Sequence, residues 1–137
     1  MKRLVPFAVL AALLLASTSC QRADADTTVI TITLNYNGGN CTQTGSDGSS
    51  GVTDVSQSQN TVTYKSQTAV SQFAVSFGTC PFSSCPISST TGAAVSAGQP
   101  KATAVTNPVT TYNYSSVSFG SNQICNNPQQ LGVRVRP

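Results

Sequence analysis

The chain of 137 residues contains no histidine, no glutamate and no tryptophan, and its one methionine is Met1. A blue-copper site needs two His and a Cys, commonly with an axial Met, so that site cannot be built here. Ser-His-Asp and Cys-His catalysis lack their base, and zinc lacks its commonest partner ligand to Cys. Charge is equally scarce. From Gln21 onward the cations are Arg22, Lys65, Lys101, Arg134 and Arg136 and the anions Asp24, Asp26, Asp47 and Asp54. That near balance leaves no basic patch, and therefore no expectation of a nucleic-acid partner. The one long apolar run, Leu4 to Ala16 broken only by Pro6, is 13 residues, against the roughly 20 that a membrane-spanning helix needs.

Two basic residues, Lys2 and Arg3, precede that run, and the small residues Ser17, Thr18 and Ser19 follow it. This is the layout of a secretory signal over residues 1–20. Cys20 directly after Ser-Thr-Ser resembles the processing site of bacterial lipoproteins, with Ser17 standing where that motif usually has Leu. The resemblance implies a lipid on Cys20, attachment to the membrane as partner, and, through Gln21 where the retention signal is typically Asp, sorting to the outer membrane. The alternative is ordinary cleavage after Ala23-Asp24-Ala25, which would give a secreted or periplasmic protein. Either route sets Cys20 apart and leaves Cys41, Cys80, Cys85 and Cys125, an even set suited to two disulfides in an exported chain. Cys80 with Cys85 and Cys41 with Cys125 is the preferred pairing among three.

Residues 21–27 read as a short polar tether, and residues 28–137 as one domain. Ile30, Ile32, Leu34 and Tyr36 alternate with Thr31, Thr33 and Asn35, the period of a half-buried strand. The turn residues Asn37-Gly38-Gly39-Asn40 stop it. Residues 42–60 read as a long loop with at most one weak strand at 52–56. Val62 and Tyr64, then Phe73, Val75 and Phe77, mark two further strands. Cys80 to Pro86 breaks the pattern, because Pro cannot donate to a central ladder, and residues 88–100 read as turn-rich. A weak strand is expected at Ala102, Ala104 and Thr106. Tyr112 and Tyr114 lie on one parity and Val117 and Phe119 on the other, which a β-bulge or a break at Ser115-Ser116 would reconcile. Leu131, Val133 and Val135 close the chain, with Arg134 and Arg136 facing outward.

About seven short strands separated by turn signals predict a small, disulfide-bonded, all-β Greek-key β-sandwich. In strand number and rhythm the set resembles cupredoxin-like and immunoglobulin-like domains, and no family motif covers it.

Candidate chemistry is thin. Asp47 and Asp54 are the only acidic pair in the domain, placed in a Gly/Ser segment with no apolar pocket in sequence to raise one pKa. The same segment lacks the alternating acids of a calcium loop. Lys65 and Lys101 have no Ser at the S-x-x-K spacing. Tyr36, Tyr64, Tyr112 and Tyr114 offer ring faces for a sugar if exposed, although strand parity puts Tyr36 in line with core residues. The expectation is therefore a non-catalytic envelope protein without cofactor or metal, acting as a structural or binding module. Its possible partners are an envelope protein or a glycan. A carbohydrate- or protein-binding domain using exposed tyrosines is the alternative, and an enzyme the third choice.

Overall fold

The computed structural model describes residues 28–67, 72–101 and 110–137. The signal segment, Cys20, the tether at 21–27 and the strand expected at Ala102, Ala104 and Thr106 lie outside the described residues. Ten strands fall within them: β1 Thr28–Asn37, β2 Asn40–Gly45, β3 Val52–Ser56, β4 Asn60–Ser66, β5 Phe73–Phe77, β6 Ile87–Ser89, β7 Val95–Gly98, β8 Thr110–Phe119, β9 Gln123–Ile124 and β10 Gly132–Arg136. They form two sheets, β2-β1-β4-β7 and β3-β10-β8-β5-β6, with β9 added beside β8. The all-β sandwich class expected from the sequence is the one observed.

β1 is the organiser of the first sheet. Its β-branched run favours a pleated surface, and it pairs antiparallel with β2 through the Asn37–Asn40 turn and parallel with β4. Gly38 and Gly39 both take positive φ in that turn, a region that costs glycine little. In the second sheet β8 is the spine. Its first half pairs with β10 and its second half with β5. Ser76 faces Ser116 while Phe77 faces Tyr114, so Ser115 is the extra residue of a bulge. That single insertion turns Tyr112, Tyr114, Val117 and Phe119 all inward despite their opposite parities.

The core between the sheets contains Ile32, Leu34, Val62 and Tyr64 from the first sheet. The second sheet meets them with Val55, Phe73, Val75, Val117, Phe119, Val133 and Val135. Of the residues expected inside, Ile30 and Phe77 are only partly buried, at the margins of this core. At one end Phe82 enters between the sheets, its ring edge-on to Tyr64 (centroids 6.2 Å apart) and 5.9 Å from Phe77. Such edge-to-face pairs add about 0.5–1.5 kcal/mol each beyond the area they bury.

Two expectations give way to the pairing. The segment read as a loop from residue 42 begins as a strand, β2, because Thr42 and Thr44 point out while Cys41, Gln43 and Gly45 point in. The strand expected at residues 52–56 is present, laid parallel against β10. The turn-rich stretch at 88–100 supplies β6 and β7, which exist through their ladders with β5 and β4 rather than through any local pattern.

Candidate functional site

Cys41 is disulfide-bonded to Cys125, with Cα atoms 5.5 Å apart, and Cys80 to Cys85, at 6.0 Å. The first pair is buried and joins β2 of one sheet to the segment that follows β9 in the other. Asn127 reinforces it: the Cys41 N–H donates to Asn127 Oδ1 (2.8 Å), and Asn127 Nδ2 donates back to the Cys41 carbonyl (3.1 Å). One side-chain amide thus imitates a ladder partner at the edge of β2.

The two aspartates are committed separately. Asp47 caps its own turn, accepting from the Ser49 N–H at 3.0 Å and the Ser49 hydroxyl at 2.6 Å. Asp54 lies on β3 opposite Arg134, which donates from Nε at 2.5 Å and from Nη2 at 3.1 Å, and Arg136 Nη2 reaches the same carboxylate at 2.5 Å. These bonds, that of Arg134 first, hold the Asp54 carboxyl below the usual carboxylate range, against a smaller opposing effect of burial. No acid pair is formed for hydrolytic work. Lys65 and Lys101 are exposed. Among the described residues no cluster of three or more His, Cys, Asp or Glu could hold a metal ion.

The tyrosines correct the second functional expectation. Tyr64, Tyr112 and Tyr114 are buried, and Tyr36 is half-buried with its ring 6.0 Å from that of Phe119. The pleat of β4 and the bulge in β8 turn Tyr64, Tyr112 and Tyr114 inward, which leaves only the half-buried Tyr36 partly at the surface and no set of exposed rings for a sugar.

The structure brings together instead a set of residues that the sequence did not single out. Gln43 and Thr53 are completely buried polar side chains at inward positions of β2 and β3. Gln43 Nε2 donates to Thr53 Oγ1 (2.9 Å) and to the Gly132 carbonyl (2.8 Å). Its Oε1 accepts from the Tyr114 hydroxyl at 2.5 Å, which lies 3.1 Å from the Tyr64 hydroxyl. On the far side Ser49 Oγ stands 3.0 Å from Thr53 Oγ1 and donates to Asp47. A continuous polar line therefore runs from the aromatic core through an amide and two hydroxyls to a carboxylate at the surface. Loss of solvent raises the Tyr64 phenol, and raises that of Tyr114 well above its ordinary value, so both hydroxyls stay protonated as donors. Among the described residues no buried side-chain nitrogen or oxygen is left without a partner, as an interior of low dielectric demands.

Compared with known proteins, the chain matches no family model and no curated sequence. Its chemistry has to be read from its own residues. At the surface, Cys125 to Gln130 line a polar depression of about 420 Å³, rimmed by the amides of Asn126, Asn127, Gln129 and Gln130. The polar line itself is inside, and no substrate from solution reaches Gln43 or Thr53 without opening the sandwich.

Proposed function

We propose that the protein is an exported, non-catalytic β-sandwich of the bacterial envelope, held to the membrane by a lipid on Cys20 and serving as a structural or binding module. The observation that carries this reading is the buried Cys41–Cys125 disulfide. Disulfides persist in oxidising compartments and are rare where thiols are kept reduced. The secretory pattern of residues 1–20 agrees with such a destination. A chain without histidine and without an acid pair among its described residues has little with which to turn over a substrate. A binding role would fall to outer surfaces such as the amide-rimmed depression at Cys125–Gln130, toward an envelope protein or a glycan. It would not fall to the tyrosines.

The anchor is the testable part. Three acyl chains, as the lipoprotein resemblance implies, exceed the two signals that stable attachment needs, at about 0.8 kcal/mol per buried CH₂. The parent protein should fractionate with membranes, and Cys20→Ser, where its signal is removed, should not. If Cys20→Ser is processed and the two fractionate alike, the lipid is absent and cleavage near Ala25 takes its place.

A further inference from the structure

We propose that Thr53 and Gln43 join in a self-formed ester, Thr53 Oγ1 to Gln43 Cδ, with release of ammonia. The polar line contains the parts an acyl transfer requires. Thr53 Oγ1 is a hydroxyl nucleophile held 2.9 Å from the nitrogen that would leave. Tyr114 places a donor 2.5 Å from the resting amide oxygen, the atom on which negative charge develops, so it can act as an oxyanion donor if it follows that oxygen. Ser49, 3.0 Å from Thr53 and 2.6 Å from Asp47, links the nucleophile to a carboxylate that can accept its proton.

The residue choices around this line have a common physical sense. Gln43 and Thr53 occupy inward positions where an apolar residue would ordinarily sit, and both are shut off from water. A Cβ at Gly45 would collide with Asp47 Oδ1, Ser49 Oγ and the Thr53 methyl, so glycine at that point is what lets the relay close on Thr53.

The step balances without any co-reactant. The Thr53 oxygen bonds to Cδ while its proton passes through Ser49 toward Asp47, and the amide oxygen carries the charge against Tyr114. Collapse breaks the Cδ–Nε2 bond; the nitrogen recovers the proton and leaves as ammonia. In the present arrangement Thr53 Oγ1 accepts from Nε2, so the amide plane must turn to present Cδ. The last torsion of a Gln is broad, but turning it carries Oε1 and Nε2 together, so the Nε2 bonds are given up and the Tyr114 hydroxyl must follow the oxygen for the step to proceed. Amides resist alcohols in solution, but once the plane has turned and Oγ1 is aligned on Cδ, groups held together act at effective concentrations of up to about 10⁵–10⁸ M. The product would tie β2 of one sheet to β3 of the other, buried where water cannot hydrolyse it.

The test is mass spectrometry of the purified mature protein. After reduction, cleavage on the N-terminal side of the aspartates puts Gln43 and Thr53 on different peptides, separated at Asp47 and bounded at Asp54. The expected result is that these two peptides are recovered joined and lighter by one ammonia, and that mild alkali separates them. Ammonia lost at Asn37-Gly38 or from an N-terminal Gln would leave them unjoined. Thr53→Val should abolish the link and Thr53→Ser restore it. Tyr114→Phe should slow its formation by about 100-fold or more, the usual loss for one oxyanion donor. Separate peptides carrying unmodified Gln43 and Thr53 after prolonged incubation of the folded parent would overturn the proposal, whatever the variants do.

Discussion

The two disulfides divide the molecule into unlike ends. Cys41–Cys125 spans a sequence separation of 84 residues and is buried between the sheets. Cys80–Cys85 spans 5 and is half-exposed. The long bond sits where β2 meets the segment after β9, in a region of amide contacts: Asn127 clamps Cys41, and the Asn126 N–H donates to the Gly39 carbonyl at 2.8 Å. The short bond closes a ring that carries Phe82 into an aromatic cluster with Tyr64, Phe77 and Tyr114. One bond fixes which distant segments are neighbours. The other fixes the shape of a loop so that one ring can fill the end of the core.

The largest effect expected from this contrast is at the long bond. On the loop-entropy model, removing it releases about 4–5 kcal/mol of constraint on the unfolded chain, comparable with the whole stability of many small domains. Cys41→Ala with Cys125→Ala should therefore be barely folded, which urea denaturation followed by circular dichroism will show. A double variant as stable as the parent would mean that the amide contacts alone hold that end together.

At the other end Phe82 should matter more than the bond that presents it. Truncating a buried Phe costs about 3–5 kcal/mol through lost transfer energy and a residual cavity, whereas a disulfide closing so short a loop contributes about 2 kcal/mol on the same entropy model. Phe82→Ala should thus shift the urea midpoint further than Cys80→Ala with Cys85→Ala. The reverse order would make the ring itself the stabilising feature and Phe82 incidental to it.

How far these features could be read from sequence depended on whether pairing or pattern made them. β1 was legible because Ile30, Ile32 and Leu34 alternate with polar residues over a long strand, and the bulge in β8 was legible because two apolar parities meet at Ser115-Ser116. The inward turn of Tyr36 followed from the same parity rule, which extends to Tyr64 beside Val62. β2 was not legible. Its inward residues are Cys41, Gln43 and Gly45, so hydrophobic alternation vanishes although the strand alternation is intact. The polar line was hidden for the same reason, since a buried amide and a buried threonine look like loop residues until a tyrosine from β8 and a carbonyl from β10 arrive to satisfy them. β6 and β7 have three and four residues and owe their form to neighbours distant in sequence. Asp54 was read as a solvated loop residue because its partners, Arg134 and Arg136, are brought beside it only by the parallel pairing of β3 with β10.

That last contact is a third kind of tie, noncovalent and on the outer face, and it should be the weakest. Asp54 and both arginines are partly exposed, so solvent screens their attraction and its worth is small. Because the folded state holds the Asp54 carboxyl below its ordinary range, the unfolded chain binds the proton more readily. The contribution is fully present above the unfolded value of about 3.9 and is lost as pH falls through the lowered folded value. Asp54→Asn should therefore differ slightly from the parent near neutral pH, with the difference shrinking in high salt and vanishing in strong acid. Urea midpoints for the two proteins at both pH values and two salt concentrations make the measurement. A difference that survives acid and salt would assign the effect to the packing of the Arg134 stem across β3 rather than to charge, and would rank this outer tie with the Phe82 ring instead of below it.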